Sequence, residues 1–150
     1  MIMKVLTCFI IMLLTATIPT GTGFSDILGI WNTENGEARV EMFMCGKKFC
    51  GRIIWLKNPV YTDSRDGEIG DPVIDKKNPD PALRSRPVLG LLILKGFTPE
   101  GDNYWGNGTC YDPKSGNTYR GKIHMVAHDR LELRGYVGIP LFGRTSVWSR

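Results

Sequence analysis

Residues 118–137 read TYRGKIHMVAHDRLELRGYV. Taken two at a time, Tyr119, Ile123, Met125 and Ala127 fall on one face, and Arg120, Lys122 and His124 on the other. After His128-Asp129 the pattern resumes, with Leu131, Leu133 and Val137 set against Arg130, Glu132 and Arg134. Successive side chains of a strand point to opposite sides, so period two with one apolar face marks half-buried antiparallel strands. The dipeptide between them is then a tight connection.

Working outward, the same signature recurs. In ARVEMFM (38–44), Val40, Met42 and Met44 share a face; in CGRIIWLK (50–57), Ile54 and Leu56 share one face and Ile53 and Trp55 the other. TPEGDN and DPKSGN supply turn chemistry between further runs. Eight strands are predicted, at 29–33, 38–44, 49–57, 90–97, 103–111, 117–127, 130–137 and 143–150. Sequential hairpins suit an up-and-down barrel or a sandwich, and a closed barrel leaves no sheet edge exposed. The expectation is an all-β, eight-stranded, up-and-down antiparallel barrel. Its one anomaly is 58–89, a long connection between strands three and four where a hairpin needs two to five residues.

The first residues differ from the rest. Lys4 is the only charge before Asp26, and VLTCFIIMLLTATI (5–18) is apolar or small. Fourteen residues span about 21 Å as a helix, short of the roughly 30 Å hydrocarbon core. Residues 1–23 therefore read as a secretory signal peptide, with Gly21 and Gly23 near the cleavage site, and an uncleaved anchor as the alternative. The expected location is periplasmic or secreted. Residues 24–150 then form one domain. It carries 18 Lys+Arg against 15 Asp+Glu, with both signs mixed along the chain, and no basic run interleaved with aromatics, so nucleic acid is not an expected partner. Membrane contact is expected only through the signal peptide before cleavage.

An exported chain meets oxidising conditions, where disulfides persist. Cys45 and Cys50 flank GKKF. If that is a hairpin turn, the two lie opposite each other within disulfide range. Cys110 is left as a buried small apolar residue.

Catalytic and metal constellations are not recognisable. His124 and His128 would share an outward face, and neither a Gly-x-Ser-x-Gly elbow nor a His-Glu-x-x-His pair occurs. DSRDGEIGD (63–71) fails the EF-hand spacing, because Arg65 and Gly67 fall at the third and fifth positions, where side-chain oxygens are needed. It reads as a solvated turn. No cofactor, metal or enzymatic role is predicted.

GIW (29–31) opens the first strand, and GRTSVWSR (143–150) forms the last. A Gly-x-Trp so placed resembles the lipocalin and wider calycin signature. That resemblance implies that Trp31 plugs one barrel end, with Gly29 letting the backbone pass close under the plug and Arg144 or Arg150 stacked across the indole. An Arg over an indole contributes about 0.5–2 kcal/mol. The motifs CGRIIWL, NPDPALRSRPVLGLLIL, GNGTCYDPKSGNTY, LRGYVG and LFGRTSVWSR together resemble a family of small exported bacterial proteins, domain-of-unknown-function family 2147. The resemblance implies a lipocalin-like barrel in the periplasm and no established activity. Cys110 stands where an apolar residue such as Ile is expected.

NPDPALRSRP (78–87) reads as a capped single turn: Asp80 as N-cap, Pro81 at the first position, Pro87 ending it. Leu83 would face apolar surface. Arg84 and Arg86 would pair with Asp71, Asp75 or Asp80, or else face an anionic head group. The expected function is non-enzymatic binding of a small apolar or amphiphilic ligand inside the barrel. Its candidate contacts are Arg84, Arg86, Trp55, Met42, Met44, Ile54 and Met125, with Ile123 and Leu133 also inward. The alternative is a side-chain-filled barrel that binds or inhibits a protein, presenting Tyr61 or Trp105.

Overall fold

A computed structural model describes residues 26–150; the expected signal peptide lies outside them. Eight strands follow in chain order: β1 (Gly29–Asn32), β2 (Ala38–Cys45), β3 (Lys48–Leu56), β4 (Leu92–Gly101), β5 (Tyr104–Asp112), β6 (Asn117–Ala127), β7 (Arg130–Tyr136) and β8 (Arg144–Ser149). Each pairs antiparallel with the next, and β8 closes on β1, giving a closed barrel. The 118–137 segment forms the β6–β7 hairpin, with Ile123 opposite Leu133 and Met125 opposite Leu131.

Because every strand reverses the last, the connections alternate between two ends. One end carries the short turns at 46–47, 102–103 and 128–129, together with residues 26–28. The other carries 33–37, 57–91, 113–116 and 137–143. The first end is sealed. Trp31 is fully buried, its Nε1 donating to the Ile27 carbonyl at 2.9 Å. The Arg150 guanidinium lies 4.3 Å from the indole centroid. It also donates to the carbonyls of Asp26 (2.6 Å), Leu28 (3.1 Å) and His128 (2.6 Å). Gly29 has φ +110°, and a Cβ there would sit 3.8 Å from Arg150 Nη1. The guanidinium over Trp31 is thus that of Arg150; Arg144 is at the opposite end of β8, exposed on the other rim.

Above this plug Met42, Phe97, Trp105, Ile123, Met125 and Leu131 pack as core. Phe97 lies across glycines: a Cβ on Gly108 or Gly121 would come within 2.3 or 2.6 Å of its ring. An eight-stranded barrel has little interior to spare, and these two positions make room for the phenyl group.

Three expectations need correction. The alternation in β3 breaks at Ile54. Arg39 pairs with Trp55 and Val40 with Ile53, so a bulge skips Ile54. An extra residue on one strand shifts every later side chain to the other face. Ile53 is buried, whereas Ile54 and Trp55 are exposed, the latter beneath Arg39 with 5.0 Å from guanidinium to ring centroid. Met44 has inward parity but sits at the rim, exposed. Trp105, considered for an exposed contact, is buried edge-on to Phe49.

Cys45 and Cys50 are joined in a disulfide, Cα–Cα 5.9 Å. They are diagonal rather than directly opposite: Cys45 pairs with Lys48 and Cys50 with Phe43. The turn is the two residues Gly46-Lys47, with Gly46 at φ +68°. A disulfide of this kind indicates an oxidising compartment.

Candidate ligand-binding site

The open end of the barrel leads into a cleft of about 900 Å³. Its floor is apolar: Leu94, Cys110, Leu133 and Trp148 from the barrel wall, met by Val73 and Val88 from the long connection. Concave sites for small molecules typically enclose 300–1,000 Å³ with mostly apolar walls and a few polar groups. Here the polar groups lie at the rim. Lys114 is ion-paired with Glu37, which ties the β5–β6 turn to the 3-10 turn Glu34–Gly36. That hydrogen bond and the Lys114 charge hold the Glu37 carboxyl below its usual range. The side chains of Lys57, Lys77 and Arg144 also line the cleft and form no ion pair or hydrogen bond among the described residues, while the Lys57 amide donates to the Glu37 carbonyl at 2.8 Å.

Residues 57–91 form the outer wall. Isolated bridges, Val60 with Pro72 and Ile74 with Pro87, fold the connection into a ribbon, and Tyr61 Oη accepts from the Ile74 amide at 3.2 Å. Asp80 caps the 3-10 turn Pro81–Leu83, accepting from the Ala82 amide at 3.0 Å. Leu83 is exposed, not packed on apolar surface; the turn is held instead through polar groups, Arg84 Nε donating to the Asn78 carbonyl at 2.8 Å.

A buried carboxylate anchors the ribbon. Asp75 is fully buried. It accepts from Arg86 Nε and Nη2 (3.0 and 2.9 Å), from Asn78 Nδ2 (2.8 Å) and from Tyr111 Oη on β5 (2.5 Å). A charge taken out of water requires a partner and hydrogen bonds, and these four contacts provide both. Burial, with the Asp75 carboxylate that the phenol faces, pushes Tyr111 up. Arg86 is therefore committed to Asp75 rather than turned to a ligand head group.

None of the seven contact residues expected from the sequence lines the cleft. Met42 and Met125 are buried in the core on the plug side; Met44, Ile54 and Trp55 are exposed; Arg84 and Arg86 brace the ribbon. The wall residues missed are Val73, Ile93, Tyr119, Ser146 and Trp148. For the four on strands the signal is parity alone, which marks a side as inward without placing it along the barrel axis; Val73, in the long connection, carries no such signal.

Cys110 lines the cleft as a free, half-buried thiol. Burial pushes it up to about 12 from 9.0. The folded state then keeps its proton where the unfolded chain has lost it. Stability from this group is full below pH 9 and falls as pH rises toward 12. The slope is about 1.4 kcal/mol per pH unit. Urea denaturation of Cys110→Ala between pH 9 and 10.5 is expected to show a correspondingly shallower loss than wild type. Equal slopes would refute the shift.

Residues 29–150 match the family described as "Uncharacterized protein conserved in bacteria (DUF2147)".

The chain belongs to the DUF2147 family.

A solved structure described as "Protein HP1028 from the human pathogen Helicobacter pylori belongs to the lipocalin family" is similar to it, with TM-score 0.68 and 26% identity. The likeness covers 82% of this chain and 81% of that one. No curated protein matches the chain. This DUF2147 member is thus a lipocalin-like barrel, an architecture suited in broad terms to holding a small ligand.

Proposed function

We propose that the protein is an exported, non-enzymatic carrier of a small apolar or amphiphilic molecule, held in the cleft at the open end. The observation that supports this is the cleft itself: about 900 Å³, apolar at its floor, with Lys57, Lys77 and Arg144 at its rim. An apolar body would rest against Leu94, Leu133 and Trp148, and a polar or anionic end would remain among the rim cations. The lipocalin-like fold and the disulfide are consistent with the reading.

Native mass spectrometry of protein purified from the expressing cell is expected to show a bound small molecule at stoichiometric level. A fluorescent apolar probe such as 1-aminoanthracene should bind and be displaced by amphiphiles. Ser146→Phe places a phenyl group in the cleft and should weaken the probe about tenfold while the barrel stays folded. An empty protein that also ignores the probe would overturn the carrier reading.

A further inference from the structure

The connection between β7 and β8, VGIPLFG (137–143), displays its apolar side chains to solvent. Phe142 is 80% exposed, Leu141 75%, Val137 72% and Ile139 54%; the first three are the most exposed large apolar side chains among the described residues. Scattered exposed apolar residues are ordinary, but a contiguous group marks an interaction surface.

The loop is built to hold this display. Pro140–Phe142 form a 3-10 turn, closed by Phe142 N to Ile139 O (3.3 Å) and Gly143 N to Pro140 O (3.0 Å). Arg134 reaches out from β7, donating from Nε to the Pro140 carbonyl (2.7 Å) and from Nη2 to the Leu141 carbonyl (3.1 Å). Gly143 packs so closely on β7 that a Cβ would lie 2.6 Å from the Gly135 carbonyl. Three carbonyls of the apolar tip are therefore already occupied. That satisfaction is what a segment leaving water for a lipid interface requires.

Charge indicates the partner. Residues 117–150 hold six Lys/Arg and two Asp/Glu, and so carry +4; residues 1–116 hold thirteen of each and are neutral. The whole formal charge of +4 thus resides in residues 117–150; Arg130 and Arg150 stand at the sealed end, and Arg120, Arg134 and Arg144 stand toward the loop. Arg120 and Arg144 are exposed next to it; Asp112, which shares a hollow with Val137, Phe142 and Arg144, already accepts from Ser115 and the Lys114 amide. An apolar tip ringed by arginines is the pattern of interfacial anchors on anionic lipid. A second copy docked through the same loop would set two basic walls against each other.

We propose that the 137–142 loop is a peripheral docking element for an anionic lipid surface. It brings the cleft mouth, at the same end of the barrel, against the bilayer. This site is separate from the signal peptide and does not depend on the cleft being occupied.

Phe142→Trp reports position 142 directly. Mixed with vesicles of phosphatidylglycerol and phosphatidylcholine brominated on their acyl chains, the emission it adds to the native tryptophan background should fall about twofold. It should be unchanged with phosphatidylcholine alone and recover in high salt. In flotation assays Leu141→Glu/Phe142→Glu should lose about tenfold or more in vesicle partitioning, with its melting temperature retained. All chains are compared in one N-terminal form, verified by mass, because 5–18 is itself apolar. Unquenched emission from Phe142→Trp, or flotation of the double variant equal to wild type, would overturn the proposal. So would a wild-type dimer in sedimentation that the double variant dissolves, since the loop would then serve self-association.

Discussion

Trp31→Ala is expected to cost about 3–5 kcal/mol, the range for removing a large buried aromatic. The indole fills the sealed end completely, satisfies the Ile27 carbonyl and supports the Arg150 guanidinium. Its removal opens a cavity and also leaves Arg150 without its stacking partner. Trp31→Phe keeps a ring there and forfeits the Nε1 bond, for about 1 kcal/mol. Ile30→Ala, one residue away but exposed, serves as the control. Urea midpoints for the three variants test the plug. Trp31→Ala shifting the midpoint no more than Ile30→Ala would refute its structural role.

Arg86→Met should be nearly as damaging, at about 3 kcal/mol. Breaking a buried ion pair leaves an uncompensated charge, and the half-exposed side chain of Arg86 tempers the loss. Asp75 would retain only the neutral donors Asn78 and Tyr111. Asp75→Asn in the same chain removes the stranded charge, so the double variant should recover much of the stability. A double-mutant cycle in urea is expected to give a coupling above about 1 kcal/mol. A coupling near zero would mean that the ribbon is anchored by something else.

The strand order and barrel class were readable because most inward positions keep strict period two, as in the β6–β7 hairpin. What parity cannot show is depth. Met42 and Met125 point inward, as their spacing implies, but they belong to the packed core and not to the cleft. Parity also assumes an unbroken ladder. The bulge opposite Val40 leaves no local mark in CGRIIWLK, so strict alternation puts Ile54 on the wrong side. The Asp80 cap was legible in NPDPALRSRP because a capping signal spans three residues. The Asp75 cluster was legible only as one possible arginine partner among three. Its decisive member, Tyr111, lies 36 residues away, a distance at which no pattern in the chain connects the two.

The way the ring is joined has a kinetic consequence. Seven of the eight strand pairings link neighbours in sequence. The eighth, β1 to β8, rests on one register pair, Asn32 with Ser149, and bridges residues 117 apart. Local hairpins can zip early, whereas a long-range contact bears its loop-closure entropy before any reward arrives. The Arg150 clasp across Asp26, Leu28 and His128 is therefore expected to form after the transition state. Interactions absent from the transition state slow unfolding and leave folding rates nearly unchanged. Removal of the Arg150 side chain is thus expected to speed unfolding and to leave the rate of strand assembly nearly unchanged.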